Sequence, residues 1–163
     1  IFQFTKDLKT AREFSKAGFR HLALANYSRL SKGTVWDNTI YFSYASELQK
    51  VKKLDSAILR LRESSKYMYD DYTTTLFAKI YFEKKQLHEA EEFYLQAVHI
   101  NPKSFRNRFT LMQFYAEIGH EEKAKAVGNF ILTMPFKPTE KINVQIRTQV
   151  RHFLIKSTNL SNP

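Results

Sequence analysis

Alanine recurs along this chain with an almost constant period. Ala23, Ala57, Ala90 and Ala124 are separated by 34, 33 and 34 residues. Other positions repeat with them: twelve residues earlier a small residue or methionine, nine earlier an aromatic residue or leucine, five earlier glycine or lysine. In chain order, those positions are Ala11, Ala45, Ala78 and Met112; Phe14, Leu48, Tyr81 and Tyr115; and Gly18, Lys52, Lys85 and Gly119. A repeat of this length predicts a stack of similar supersecondary units rather than one irregular core.

The period and the residue types at these offsets are typical of the tetratricopeptide (TPR) repeat, a pair of antiparallel helices. Small residues such as Ala78 and Ala90 let the two backbones approach closely, and aromatic residues such as Tyr81 and Tyr94 fill the space beside them. We therefore predict an all-α fold. It is a TPR-like α-α superhelix (solenoid) of about four helix pairs with a C-terminal capping helix.

The predicted domain organisation follows the repeat. The chain divides into TPR-like repeats at 1–136 (about 4–34, 38–70, 71–104 and 105–136), a C-terminal capping helix at 137–156 and a flexible tail at 157–163. The paired helices are predicted at 5–17 and 20–31, 38–51 and 54–67, 71–84 and 87–99, and 104–117 and 121–133. Asp37 and Asp71 are predicted to cap helix starts. Gly18 and Gly119 are predicted to turn the chain with positive φ, a conformation that lysine tolerates less well.

Composition excludes several other classes. The 163 residues are 43% hydrophobic and 26% charged, which indicates a globular chain rather than a disordered one. Only four glycines and four prolines occur, too few for the many turns of a β-sandwich or barrel. The absence of cysteine excludes disulfide scaffolds, thiolate metal sites and cysteine nucleophiles. No apolar run approaches the roughly 18 residues of a membrane-spanning helix.

Positive charge is concentrated at the two ends of the sequence. The net charge is +10, and residues 1–36 carry seven bases and two acids while residues 137–163 carry five bases and one acid. Such a balance suits anionic partners, and an anionic lipid or glycolipid surface is a candidate. The plainer interpretation is a solvated, solubilising surface. Because no dense basic stripe is present, we do not expect nucleic acid to be the partner.

No pattern of catalytic or metal-binding residues stands out. His88 and Glu92 are four residues apart on one predicted helix, but the second histidine of the zincin motif is missing. We therefore interpret them as a solvated helix face. There is no glycine-rich phosphate loop, nucleophile elbow or Ser/His/Asp spacing. The sequence predicts that this domain is not an enzyme and holds no metal and no cofactor.

A candidate binding surface follows from the repeat register, because the first helix of each pair lines the groove of a TPR superhelix. The predicted groove residues are Arg12, Lys16, Lys50, Tyr72, Lys79, Phe82, Arg106, Phe109 and Gln113. Such a mixture of bases and aromatics suits a peptide held by aromatic anchors, with arginine or lysine pairing a carboxylate or phosphate. For an aromatic residue such as Phe109, packing in the core is the alternative. The Asn and Lys arrangement of carboxylate-clamp adaptors is not evident.

The chain also resembles a more specific family over about residues 11–154. The resemblance rests on the segments at 44–48, 56–58, 70–94, 101–106 and 115–119. It rests most on the exit from the last repeat, where the residues at 136–139, Phe-Lys-Pro-Thr, lead into an amphipathic segment at 142–150. In these features the chain resembles the C-terminal periplasmic TPR domain of Bacteroidetes-type O-antigen ligase/polymerase-family membrane proteins.

That resemblance implies a non-catalytic TPR protein-interaction module on a larger membrane protein. The full protein would transfer undecaprenyl-linked glycan, with its catalytic residues in membrane helices before Ile1. The module would lie at the periplasmic face of the inner membrane and contact a protein or peptide partner, or its own membrane domain. The alternative is a free-standing TPR adaptor or co-chaperone that binds peptides in its concave groove, soluble and with no compartment indicated.

Overall fold

A computed structural model describes residues 2–32, 38–66 and 69–159 of the chain, and within these residues every regular element is an α-helix. The helices are α1 (Phe2–Lys16), α2 (Arg20–Leu30), α3 (Asn38–Lys50), α4 (Leu54–Ser65), α5 (Asp71–Glu83), α6 (Leu87–Ile100), α7 (Phe105–Glu117), α8 (Glu121–Thr133) and α9 (Lys141–Asn159). The chain forms two compact units, unit 1 (Ile1–Ala90) and unit 2 (Glu91–Pro163).

Small residues at the repeat positions bring paired helices together. In unit 1, α1 packs on α2 and α3 packs on α4; in unit 2, α7 packs on α8. The four periodic alanines Ala23, Ala57, Ala90 and Ala124 have no exposed surface. Because alanine adds only a methyl group, helices can meet there at close range without an unfilled gap. The predicted inward orientation of these alanines is therefore confirmed.

Aromatic rings also pack in each core. In unit 1, the rings of Tyr27 and Tyr44 stack with centroids 6.4 Å apart beside the buried Ala11 and Ala23. In unit 2, the rings of Tyr94 and Phe114 lie 5.1 Å apart. Large aromatic side chains bury much apolar surface, so these contacts add to the hydrophobic stabilisation of both units.

The four turn positions share one backbone conformation. Gly18, Lys52, Lys85 and Gly119 have φ of 81°, 61°, 63° and 77°. The left-handed conformation predicted for the two glycines is therefore confirmed, and the two lysines adopt it as well. A residue with a Cβ pays roughly 1–2 kcal/mol for this conformation, whereas glycine does not. Repeat geometry thus overrides residue preference at Lys52 and Lys85.

Lys52→Gly is expected to raise the free energy of unfolding by about 0.5 kcal/mol. The relief of backbone strain outweighs two losses. Glycine raises the conformational entropy of the unfolded chain, and the exposed Lys52–Glu83 ion pair, which contributes little to stability, is removed. Lys79→Gly is the control, since Lys79 is exposed within α5, where glycine costs about 1 kcal/mol and no positive φ is relieved. Urea unfolding followed by circular dichroism should rank Lys52→Gly above wild type and Lys79→Gly below it. The reverse order would contradict the assigned strain.

Asp70, rather than the predicted Asp71, caps α5. Asp70 has an extended backbone, and its Oδ1 accepts a hydrogen bond of 2.8 Å from the Thr73 N–H. Asp71 is already the first helical residue, where its charge complements the helix dipole. The prediction was therefore one residue too late. The other predicted cap, Asp37, lies outside the described residues.

The ninth helix packs against α7 and α8. Its Ile146 and Val150 are buried. Arg147 donates hydrogen bonds to the carbonyls of Ile131 (3.1 Å) and Leu132 (2.7 Å) in the last turn of α8, where the Ile131 carbonyl also accepts from the Met134 N–H. α9 begins at Lys141 and continues to Asn159, and Ser157 is buried, so the helix outlasts the predicted end at 156. Residues 160–163 of the predicted tail lie outside the described residues.

Candidate functional site

Three of the predicted groove residues line one pocket in unit 1. This basic pocket has a volume of about 200 Å³. Its lining residues come from α1, α2 and α3: Arg12, Ser15, Lys16, Tyr27, Phe42, Ser43, Ser46, Glu47 and Lys50. The predicted Arg12, Lys16 and Lys50 are thus brought together although 38 residues separate the first from the last. The prediction that they bind a ligand stays a prediction.

A buried carboxylate forms part of the basic pocket's wall. Glu47 has only 1% of its surface exposed. Its Oε1 accepts a hydrogen bond of 2.5 Å from the Ser15 hydroxyl and another from the Lys50 ammonium. Its Oε2 lies 3.7 Å from Arg20 Nη1 and receives no hydrogen bond. An ionised carboxylate is costly to bury, and here two cations offset part of that cost.

Sequence reasoning missed Glu47, although the repeat contains a signal for it. In the register of the alanine repeat, Glu47 occupies the position of Ile80 in the third unit and Phe114 in the fourth. Both of those residues are almost fully buried. A carboxylate at a position where two sister repeats place a core residue indicates a buried charge. The first unit places an exposed carboxylate, Glu13, at the same position, so this comparison gives two candidates and only the structure separates them.

Two other cations of the basic pocket have no carboxylate partner among the described residues. Arg12 donates a hydrogen bond of 3.2 Å to the Thr39 hydroxyl, and Lys16 ends α1 with its side chain exposed. Burial raises the pKa of the Tyr27 phenol above its ordinary value, so this ring stays neutral and adds no negative charge. The open part of the pocket is therefore cationic.

The predicted groove residues on α5 lie outside the basic pocket. Tyr72 is 57% exposed, Lys79 is exposed and Phe82 is half-buried. The Lys85 ammonium lies 5.7 Å from the centre of the Phe82 ring, a cation–π contact. The structure thus places these three residues on one helix but does not bring them to Arg12, Lys16 and Lys50.

Unit 2 has a larger and more apolar pocket, of about 480 Å³, between α7 and α9. Its lining residues are Phe109, Met112, Gln113, Ala116, Glu117, Gln149 and Phe153. The predicted Phe109 and Gln113 belong to this apolar pocket, and Phe109 is only half-buried, so it is not simply core filler. The predicted Arg106 is exposed on α7 and is not among the lining residues.

The two pockets use the same positions of the repeat. Phe42, Ser46 and Lys50 of α3 line the basic pocket, and Phe109, Gln113 and Glu117 of α7 line the apolar pocket. Each residue of the first set is 67 positions, or two repeats, before its counterpart in the second. Residues spaced by four lie on one helix face. α3 and α7, each the first helix of its repeat, therefore present the same open face.

The part of the chain that the structure describes contains neither a metal site nor a membrane-spanning helix. No three histidine, aspartate or glutamate side chains there are grouped as a metal site requires. None of the helices described is both long enough and apolar enough to span a bilayer.

No protein-family model matches the sequence, and no curated protein is similar enough in sequence to match. Solved structures do match. YrrB, a TPR protein with an unusual peptide-binding site, aligns over 90% of this chain and 75% of its own, with 14% identity and a TM-score of 0.64. MamA from Desulfovibrio magneticus RS-1 aligns over 80% and 75%, with 14% identity and a TM-score of 0.72.

A tetratricopeptide repeat protein from Parabacteroides merdae is also similar, with 13% identity and a TM-score of 0.71 over 93% of this chain and 61% of its own. Sequence identities this low show the fold alone. Together with the helices described above, they confirm the predicted all-α, TPR-like fold. The link to an O-antigen ligase or polymerase receives no support from these comparisons.

Proposed function

We propose that this chain is a non-catalytic protein-interaction module that binds peptide segments on the first-helix faces of its repeats. The observation that carries this proposal is the repetition of one open face, at Phe42, Ser46 and Lys50 in unit 1 and at Phe109, Gln113 and Glu117 in unit 2. Positions that the fold does not need to bury, repeated in register, are suited to bind a partner. YrrB, which has the same fold, is described as having a peptide-binding site.

The apolar pocket has the composition of a side-chain anchor site. Phe109, Met112 and Phe153 supply apolar surface, while Gln113 and Gln149 place amides beside it. An apolar side chain of a peptide would gain hydrophobic stabilisation there, and each amide can donate to and accept from a peptide backbone. This combination fits an apolar residue within an otherwise polar segment.

Phe109→Ala is expected to weaken peptide binding by at least tenfold, because a half-buried aromatic anchor contributes roughly 2 kcal/mol or more to such a site. The test is fluorescence anisotropy with peptides selected from a random dodecapeptide display library on the intact chain. Phe130→Ala is the matched control, since Phe130 is 52% exposed on α8 and lines neither pocket. Equal binding by both variants, or no selected peptide at all, would contradict the proposal.

A second candidate keeps the same module but attaches it to a membrane enzyme. Support comes from the exit of the last repeat, where Phe136-Lys137-Pro138-Thr139 leads into α9 as in the O-antigen ligase/polymerase family. The ring of Phe136 packs edge-on against Phe105, with centroids 6.4 Å apart, and so joins this exit to the repeat. The module would then lie on the periplasmic side and dock on its own membrane region or on a partner.

The genomic reading frame upstream of Ile1 separates these two candidates. About ten apolar spans encoded there would favour the ligase or polymerase assignment, with glycan transfer carried out in the membrane part. A soluble domain or a signal peptide would favour the free-standing adaptor. The peptide-binding proposal is common to both and does not depend on this outcome.

A further inference from the structure

We propose that the basic pocket binds the carboxylate of an Asp or Glu side chain in a bound peptide, and that Glu47 restricts it to singly charged acids. This inference rests on the proposed function and specifies the ligand of one of its two pockets. In this proposal, the side chains of Arg12 and Lys16 bind the carboxylate of the ligand. Glu47 is a positioning residue, because it acts on the ligand through Lys50 and through its own charge.

The cations that line the pocket, and Arg20 beside it, differ in the groups that they already contact. Lys50 donates to Glu47 Oε1, and Arg20 lies 3.7 Å from Oε2, so these two charges serve the buried carboxylate. Arg12 and Lys16 have no carboxylate partner among the described residues, and the hydroxyl of Ser46 lies in the same lining. Arginine can bind a carboxylate through two parallel hydrogen bonds, and lysine adds a compact point charge.

The pocket's size favours a side-chain acid over a longer ligand. A volume of about 200 Å³ accommodates one short polar side chain but not a length of peptide backbone. Arg12 and Lys16 are exposed whereas the serines of the lining are half-buried, so the ligand's acid is expected to meet these two cations first. A peptide lying across the helix face would therefore insert a single acidic residue.

Glu47 limits the negative charge that the pocket can take. Buried charges are screened far less than exposed ones, and Oε2 has no hydrogen-bond donor to disperse its charge. A carboxylate brings one negative charge, whereas a phosphoserine brings about −1.5 to −2 at neutral pH. The carboxylate of Glu47 repels the additional negative charge of the phosphate. It also holds the Lys50 ammonium, which is then not available to the phosphate. In the wild-type pocket, a phosphate is therefore expected to bind with little more affinity than a carboxylate.

The test is an NMR titration of the intact ¹⁵N-labelled chain with three peptides, acetyl-Phe-Ser-X-Ser-Gly-amide, where X is Glu, Gln or phosphoserine. The amides of Ser15, Ser43 and Ser46 report on the basic pocket, and those of Gln113 and Ala116 report on the apolar pocket. The Glu peptide is expected to bind the basic pocket about tenfold more tightly than the Gln peptide, since a charge-assisted pair replaces a neutral one. The phosphoserine peptide is expected to bind no more tightly than the Glu peptide.

Variants of Glu47 test the charge limit. In Glu47→Gln the phosphoserine peptide is expected to bind about tenfold more tightly than it binds wild type, while the Glu peptide gains less. Glu47→Ile is the second variant, because the sister repeats place Ile80 and Phe114 at this position and tolerate apolar residues there. Arg12→Gln should abolish the preference for Glu over Gln. Lys53→Gln, which removes an exposed charge outside the pocket, should leave it unchanged.

The outcomes separate this inference from the function on which it rests. Tighter binding of phosphoserine than of Glu by the wild type would make the pocket a phosphate site and overturn the role of Glu47. Responses confined to Gln113 and Ala116, equal for all three peptides, would refute the carboxylate site but retain the peptide-binding function. Silence at both pockets would refute the carboxylate site and count against the proposed function as well.

Discussion

Ala57→Arg is expected to lower the free energy of unfolding by on the order of 5 kcal/mol, enough to unfold most or all of a typical domain at room temperature. Ala57 has no exposed surface and lies where α4 packs on α3. Arginine would force the two helices apart and bury a charge that has no partner there. Urea unfolding followed by far-ultraviolet circular dichroism measures the loss.

Leu59→Arg is the matched control for that change. Leu59 lies two residues away on the same helix and is 50% exposed, so a charged side chain can reach solvent. Its stability should stay within about 0.5 kcal/mol of wild type, as is usual for surface substitutions. If Ala57→Arg retained the wild-type midpoint, the repeat register derived from the alanines would be wrong.

Gly128→Leu has the second largest expected effect, a loss of about 3 kcal/mol. A Cβ at Gly128 would lie 3.2 Å from Met112 Sδ, 3.3 Å from Val150 Cγ1 and 3.5 Å from Leu154 Cδ2. The first two distances already require neighbours to shift, and leucine adds three more carbon atoms in the same direction. Since Val150 and Leu154 belong to α9, the substitution should displace the ninth helix from α8.

The neighbouring Asn129 provides the control. It is exposed on α8, so Asn129→Leu should change stability little. Gly128→Ala should lie between wild type and Gly128→Leu, because alanine's better helix propensity, worth about 1 kcal/mol, offsets part of the crowding. The thermal unfolding midpoint should therefore be highest for Asn129→Leu, lower for Gly128→Ala and lowest for Gly128→Leu. A Gly128→Leu protein as stable as Asn129→Leu would show that α9 does not pack at this position.

Glu47 connects stability with the proposed binding. An apolar residue at this position would suit the core, as Ile80 and Phe114 show in the sister repeats. The carboxylate instead holds Ser15 and Lys50 by hydrogen bonds in the wall of the basic pocket. Replacing a buried ion pair with well-packed apolar residues is often neutral or stabilising. In the carboxylate site proposed above, Glu47 therefore serves the chemistry of the pocket rather than the stability of the fold.

Much of the fold could be predicted because its signals are local or periodic. Each helix hairpin needs small residues at fixed offsets and a residue that turns the chain, and both are visible at Ala45, Lys52 and Ala57. The structure differs from the predicted elements mainly at ends, as with the cap at Asp70 and the end of α9 at Asn159. Helix ends depend on single hydrogen bonds, which periodicity does not specify.

Less of the candidate site could be predicted. The register predicted Arg12, Lys50, Phe109 and Gln113 as groove residues; the first two line the basic pocket and the last two the apolar pocket, and their binding of a ligand stays a prediction. It gave no reason for Tyr72, Lys79 and Phe82 to lie outside the basic pocket, nor for Gln149 and Phe153 of α9 to complete the apolar one. Which neighbour closes a helix face depends on packing between elements distant in sequence.

The amino-acid sequence by itself determined the helix pairs, their turns and the buried alanines, because a 34-residue period imposes the same local geometry on every unit. Only the tertiary structure decided that Glu47 is buried and that its carboxylate meets Ser15 and Lys50. The burial of a charge depends on which side chains surround it. Ser15 comes from α1, 32 residues away, and a repeat pattern does not specify such a contact.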